Sequence, residues 1–426
     1  MDKMSMNVRI RLSAMMFLQF MMFAVWWVPL ATYLGKNGLD VGTKLTALIL
    51  STMALGCLTS PIVGMIADRH FASQKVLAVL NLVCAVLIFI AAKQTQPVPF
   101  FVLLLLAMLC YMPTWGLTSA IAMANSPAEK FPQIRVFGSI GWVASGICSF
   151  VALKMFGSKI DGTEIPLLCG AGIGLVAVIV NLTLPNTPPP AKGQKASLID
   201  ALGLRAVSLM KDANFAAFIA ISTLVMIPFT IYWSYGSVFL KDQGFTLVTV
   251  TMNWGQFAEM FFMLLIPLAL ARIGVRWAMF VGLVALFVRY AAFLSGGIFD
   301  QTWLYFVAIL VHGIIYGFFF VGGQIYVDKK APKEIRAQAQ GFMFLITFGI
   351  GLLVGNFFNG ELIARYTTQQ IVDGVETSVC NWTPIWTITT IISVVLLGIY
   401  LIFFRDKLEG AEQAQTQTTS AAEENA

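Results

Sequence analysis

The chain has 426 residues, 58% hydrophobic and only 11% charged, with a formal net charge of +6. A soluble domain carries about 25% charged residues, so two or three soluble domains are excluded and apolar segments take up the length instead. The basic residues are scattered at segment ends, where a topology signal belongs, and do not argue for nucleic acid.

A stretch of roughly 20 apolar residues matches the hydrocarbon core of a bilayer. Only helices can cross there as separate segments, because each helix satisfies its own backbone hydrogen bonds. Read in chain order, the sequence predicts twelve such spans, at 12–34, 44–66, 74–93, 98–124, 133–156, 164–184, 213–236, 248–271, 275–296, 302–327, 335–358 and 382–404. The fold class expected is an all-α membrane protein. Met1 to Arg11 are short and basic, and the following segment is too long for a signal-peptide core, so it reads as a first permanent span. Pro29, Pro113, Pro228 and Pro267 fall inside spans, which membrane helices tolerate when neighbours satisfy the freed backbone groups.

The longest interior polar stretch, 185–212, contains Pro188-Pro189-Pro190 and divides the spans six and six. The tail from Leu408 is rich in Glu, Gln, Thr and Ala, lacks an apolar face, and is expected to be disordered. The organisation predicted is a six-helix half over 1–184, a cytoplasmic central loop over 185–212, a second six-helix half over 213–405 and a cytoplasmic tail over 406–426. With both termini inside, inner segments hold about 19 Lys and Arg and outer loops about 7, which places both termini in the cytoplasm by the positive-inside rule. The six cysteines, Cys57, Cys84, Cys110, Cys148, Cys169 and Cys380, show no metal-binding spacing. They read as small core residues.

Two halves of a carrier should show faint internal symmetry. The fifth span opens Pro132-Gln-Ile-Arg135-Val-Phe-Gly-Ser-Ile-Gly141, and the eleventh opens Pro332-Lys-Glu-Ile-Arg336-Ala-Gln-Ala-Gln-Gly341. Each has Ile-Arg soon after a Pro, then Gly within two turns. The inner loop Gly64-Met-Ile-Ala-Asp68-Arg69 stands against Arg272 and Arg276 in the second half.

Polar residues within the spans are the places to look for function. Glu259 lies near the middle of span eight among Phe257, Met260, Phe261 and Phe262. An ionised carboxylate there is costly unless it pairs or takes up a proton. Gln256, three residues earlier, shares its helical face. Together they suit a polar substrate, and the alternative is a structural pair locking two helices. Arg135, Ser139 and Trp142 form an i, i+4, i+7 stripe on span five, offering a fork of donors, a hydroxyl and a stacking face. The alternatives are an inner-end cation and a packing aromatic. His312 and Tyr316 lie one turn apart in span ten, where an imidazole can bond substrate or share a proton with Glu259. A buried neutral His bonded to a neighbouring helix is the other reading. Arg289 in span nine needs a partner or a watery crevice. Gln19 and Trp26-Trp27 in span one are further candidates.

Six plus six helices, a long central loop and Gly-xxx-Asp-Arg after span two resemble the major facilitator superfamily. Within it, the chain resembles the nucleoside:proton symporters. The resemblance rests on Tyr111-Met-Pro-Thr-Trp-Gly-Leu117, Phe131 to Gly141, Leu182-Thr-Leu-Pro185, Gln256-xx-Glu259 and Ile335 to Gly341, and covers nearly everything but the tail. It implies a substrate role for Arg135, Ser139, Trp142, Gln256 and Glu259, a gating role for Asp68 and Arg69, and a structural role for Arg289. The family's amide side chains on span seven are matched here by Thr230 and Trp233, and its acidic residue on span ten by Gly317. That shifts the expected site toward base stacking.

The function expected is proton-coupled nucleoside uptake by alternating access. The substrate would contact Arg135, Ser139, Trp142, Thr230, Trp233, Gln256, Glu259, His312, Tyr316 and Gln19, with Glu259 and His312 coupling the proton. The alternative is a facilitator or symporter for another small polar solute, such as a sugar or nucleobase. Neither HExxH nor GxSxG is present, so an intramembrane enzyme is not expected. No cofactor or metal is implied. The expected partners are the nucleoside, the proton and the lipid bilayer, for a monomer in a bacterial inner membrane.

Overall fold

The structure, a computed structural model, describes residues 5–34, 38–41, 43–157, 160, 162–193, 205–245, 248–372 and 375–405. The expected disordered tail and the middle of the central loop lie outside the described residues.

The described chain is almost wholly helical. Among the described residues, eleven helices are long and apolar enough to cross a membrane. One of them, Thr251–Ile298, has 48 residues and at 1.5 Å per residue would be about 72 Å long, more than twice the roughly 30 Å bilayer core. It is interrupted at Gly274, whose backbone (φ 70°, ψ 172°) is not helical and suits a residue without Cβ. The helix therefore contains two crossings, spans eight and nine, and the total is twelve.

The remaining spans are Met6–Tyr33, Thr43–Gly56 continued by Ser60–Arg69, Ser73–Ala91, Pro97–Ala124, Phe131–Ala144 continued by Gly146–Phe156, and Ile165–Leu182. In the second half they are Ala213–Asp242, Thr302–Lys330, Lys333–Arg365 and Trp382–Phe403. Span one begins at Met6, earlier than its apolar stretch. A helix need not stop where its sequence becomes polar, because its backbone bonds are internal and continue across the lipid boundary. A two-stranded antiparallel hairpin, Thr367–Val372 with Val375–Cys380, joins spans eleven and twelve. Reading for apolar spans passed over it, although Asp373-Gly374 between two β-prone runs is a hairpin signal in the sequence.

Small residues bring the helices together. A Cβ on Gly141 would collide with the Phe17 backbone, joining spans five and one, and one on Gly341 would collide with the Ser60 backbone, joining spans eleven and two. The sequence-matched glycines of the two halves thus both permit backbone-to-backbone approach. At the Asp68 end the halves meet directly. A Cβ on Gly64 would come 2.6 Å from Gln338 Cα. The Asp68 carboxylate accepts from the Ala337 and Gln338 N–H groups at 3.3 and 2.8 Å, at the opening turn of the helix Arg336–Phe344, where a negative charge is favoured. One layer deeper, Ser119 Oγ donates to Gln324 Oε1 at 2.7 Å, and Gln340 Nε2 donates to the Gln324 carbonyl at 2.8 Å.

Candidate functional site

Above this closure lies a cavity of about 200 Å³ between the halves. It is below the usual ligand cavity of roughly 300–1,000 Å³, and suits one small molecule. Span eight supplies its polar wall. Asn253, Gln256 and Glu259 recur every three residues and all face the cavity, while Phe257 and Phe261 are exposed on the other side of the same helix. The apolar flank thus faces outward, and Glu259 is turned inward and buried.

Span five faces it with Arg135, Ser139 and Trp142, the stripe read from the sequence. Gly138 makes room for the guanidinium, since a Cβ there would sit 2.5 Å from Arg135 Nη1. The guanidinium lies 4.2 Å from the Phe20 ring centroid, a cation–π contact. Its Nη2 donates to the Tyr316 hydroxyl at 2.7 Å, whereas buried Nη1 has no hydrogen-bond partner. Ser139 Oγ donates to Glu259 Oε1. Both bonds join the first half to the second.

Span ten completes the cavity. His312 stacks on Phe229, with ring centroids 5.9 Å apart. Its Nε2 lies 3.8 Å from Glu259 Oε2, and its Nδ1 lies 2.8 Å from Arg289 Nη2. The next residue, Gly313, lets span ten close on span eight, because a Cβ would strike the Ala258 and Glu259 backbone. Just beyond, the helix widens into a π-helical segment, Ile315–Val321, a feature frequent at functional sites. Tyr316 sits there and points into the cavity.

Trp233 also faces the cavity, but Thr230 and Gln19 do not. Thr230 Oγ1 accepts from Asn359 Nδ2 at 2.8 Å and is fully buried. Gln19 is likewise sealed: its Nε2 donates to Thr114 Oγ1 at 2.6 Å, its Oε1 accepts from Asn81 Nδ2 at 2.8 Å, and its carbonyl accepts from the Tyr111 hydroxyl at 2.6 Å. That network ties spans one, three and four. The expectation of substrate contact at these two positions is corrected, because both polar groups are used up inside one half. Sequence reasoning missed Phe20, Trp115, Phe229, Tyr232, Met252 and Asn253, which also line the cavity. Asn253 had a signal, the three-residue step before Gln256. Trp115 falls within the Tyr111–Leu117 motif, but the other aromatics had none, since aromatic residues recur on most of the spans. Among the described residues no cluster of three His, Cys, Asp or Glu could hold a metal.

A closed end, a cavity at the half interface and twelve crossings define a carrier of the major facilitator fold. The crystal structure of the nucleoside transporter NupG superposes with a TM-score of 0.66 at 28% identity, covering 94% of this chain and all of that one. A bacterial homologue of the iron transporter ferroportin reaches 0.67 at 14% identity, a likeness of fold alone. The putative nucleoside transporter YegT of Escherichia coli is 38% identical over 409 residues, spanning 94% of this chain and 95% of its own. The xanthosine permease of the same organism is 29% identical over 421 residues, 94% and 96% of the two chains. The family model for the nucleoside H+ symporters matches residues 6–409. The chain belongs to the nucleoside H+ symporter family.

Proposed function

We propose that this protein takes up nucleosides together with protons by alternating access across a bacterial inner membrane. The two pivoting halves are residues 1–184 and 213–405, joined by a cytoplasmic connection over 185–212. Both termini lie in the cytoplasm, and the protein works as a monomer. The observation that carries this reading is Glu259: a carboxylate buried in a cavity of small-molecule size, hydrogen-bonded by Ser139 across the interface along which the halves must part.

Proton and cargo share that group. A carboxylate only accepts hydrogen bonds, whereas a carboxyl also donates one. Loading a proton therefore changes what Glu259 offers both to Ser139 and to a bound solute. Asn253 and Gln256 beside it supply amide donors and acceptors for sugar hydroxyls, a role that the buried Thr230 does not fill. Trp115, Trp142 and Trp233 supply stacking faces for a base. The unpartnered Arg135 Nη1 is a donor awaiting an acceptor. Asp68 and Arg69 act as a gate. With the Asp68 end shut and the cavity lining reaching Val28 and Asn253 at the far ends of spans one and eight, the conformation described is the outward-facing one. Rocking would separate the Asp68 contacts and close the far end.

Uptake of a labelled nucleoside panel into proteoliposomes, with and without an imposed pH gradient, tests the reading. Accumulation driven by the gradient is expected. Glu259→Gln is expected to abolish uphill accumulation while leaving nucleoside exchange partly intact. Uphill uptake that survives this change removes Glu259 as the coupling site.

A further inference from the structure

Arg289 does not line the cavity, yet it touches the cavity's one histidine from behind. We propose that Arg289 is a positioning residue that holds His312 as the neutral tautomer protonated on Nε2, so that Glu259 alone carries the transported proton at this site. This rests on the reading of Glu259 as the coupling group.

Donors and acceptors fix the tautomer. A guanidinium has five N–H groups and no acceptor. Arg289 Nη2 lies 2.8 Å from His312 Nδ1, so Nδ1 must present its lone pair. A neutral imidazole with a lone pair on Nδ1 carries its proton on Nε2. Nε2 is the atom that faces Glu259 Oε2, at 3.8 Å. The ring thus directs an N–H toward the carboxylate and accepts from the arginine behind it.

Arg289 is itself held firmly. Its Nε donates to the Ala308 carbonyl at 3.2 Å, and Ala308 lies one turn before His312 on the same helix. Two bonds from one planar group therefore fall on adjacent turns of span ten, a grip that the single ammonium of a lysine does not reproduce. The guanidinium also lies 4.3 Å from the Tyr232 ring centroid. The charged and titratable groups facing His312 are Glu259 from span eight, Arg289 from span nine, Tyr232 from span seven and Tyr316 from its own helix. A proton added at Nδ1 would break the bond to Arg289 and set two buried cations against each other. His312 therefore stays a fixed donor through the cycle, which revises the expectation that it shares the proton.

Nitrogen-15 NMR of the imidazole tests this. The chain has two histidines, and His70 is exposed at the Asp68 end, so His70→Gln leaves one ring to observe. One protonated nitrogen assigned to Nε2 and one unprotonated Nδ1 are expected, unchanged between about pH 5 and pH 8. An Nδ1–H tautomer, or a doubly protonated ring within that range, overturns the proposal. This measurement needs no change at Arg289. In Arg289→Met and Arg289→Lys, gradient-driven uptake is expected to fall by at least about tenfold, with a shifted pH profile and little change in nucleoside Kd. Uptake and pH profile equal to the parent's in both variants would also overturn it. If the parent moves no nucleoside at all, the functional reading fails, while the NMR result still decides the role of Arg289.

Discussion

Polar side chains inside these helices divide by what they already bond to. Glu259, Gln256, Asn253 and Arg135 face an open cavity. Gln19 and Thr230 are just as polar and just as central in sequence, but their partners are other protein groups. A satisfied amide inside one half does structural work, and an interhelical hydrogen bond in a membrane contributes about 1 kcal/mol. Gln19→Leu is therefore expected to lower thermal stability in detergent by an amount of that order, leaving nucleoside Kd unchanged. A tenfold weaker Kd at unchanged stability would return Gln19 to the substrate site. The stripe Arg135, Ser139 and Trp142 was legible because helix geometry alone sets i, i+4 and i+7 on one face. Which of the many aromatics join it was not, since a face is defined only by its neighbours.

At the scale of single helices, ends and irregularities matter most. Span seven starts at Asp212, whose side chain accepts from the Phe215 N–H at 2.9 Å as an N-cap. Lys330, closing span ten, lies 3.0 Å from the other carboxylate oxygen. Burial alone would raise the Asp212 pKa, but the Phe215 N–H and the Lys330 ammonium together hold it below the ordinary carboxylate value of 3.8. A depressed folded pKa means the contribution is fully present above the unfolded pKa and is lost as pH falls through the folded one. Asp212→Ala is expected to cost about 1 kcal/mol of stability at neutral pH. The difference from the parent should shrink only below about pH 4, as followed by thermal unfolding across pH. A difference that persists unchanged into strong acid would contradict this account. The π-helical segment at Ile315–Val321 and the hairpin after span eleven escaped sequence reading for different reasons. A π turn has no distinctive composition, and the hairpin is short and polar beside long apolar neighbours.

For the whole molecule, the working unit is the pair of halves and the contact between them. Their touching surface at the Asp68 end is built on glycines, with Gly64 and Gly341 leaving no room for a side chain. Gly341→Val would force the Ser60 backbone away, an overpacking cost of about 1–3 kcal/mol borne only while that end is shut. The population is expected to shift toward the state open at the Asp68 end. Labelling of Asn253→Cys by an impermeant maleimide, in a background without the native cysteines, would then slow severalfold. Unchanged or faster labelling would show that this contact does not set the access state.

The sequence by itself determined the solvent, the class and the number of crossings. Long apolar runs and sparse charge have one stable solution in lipid, and the separate runs 248–271 and 275–296 already required a break where the structure turns at Gly274. It also placed Glu259 on the working face of span eight, because a carboxylate among phenylalanines cannot be left facing acyl chains. Only the tertiary structure decided which polar groups remain available. Gln19 and Thr230 are consumed by Asn81, Thr114 and Asn359, and Arg289 reaches Glu259 only through His312. Those pairings join helices far apart in the chain, and the spacing of residues along one helix carries no information about which side chain a neighbouring helix will present.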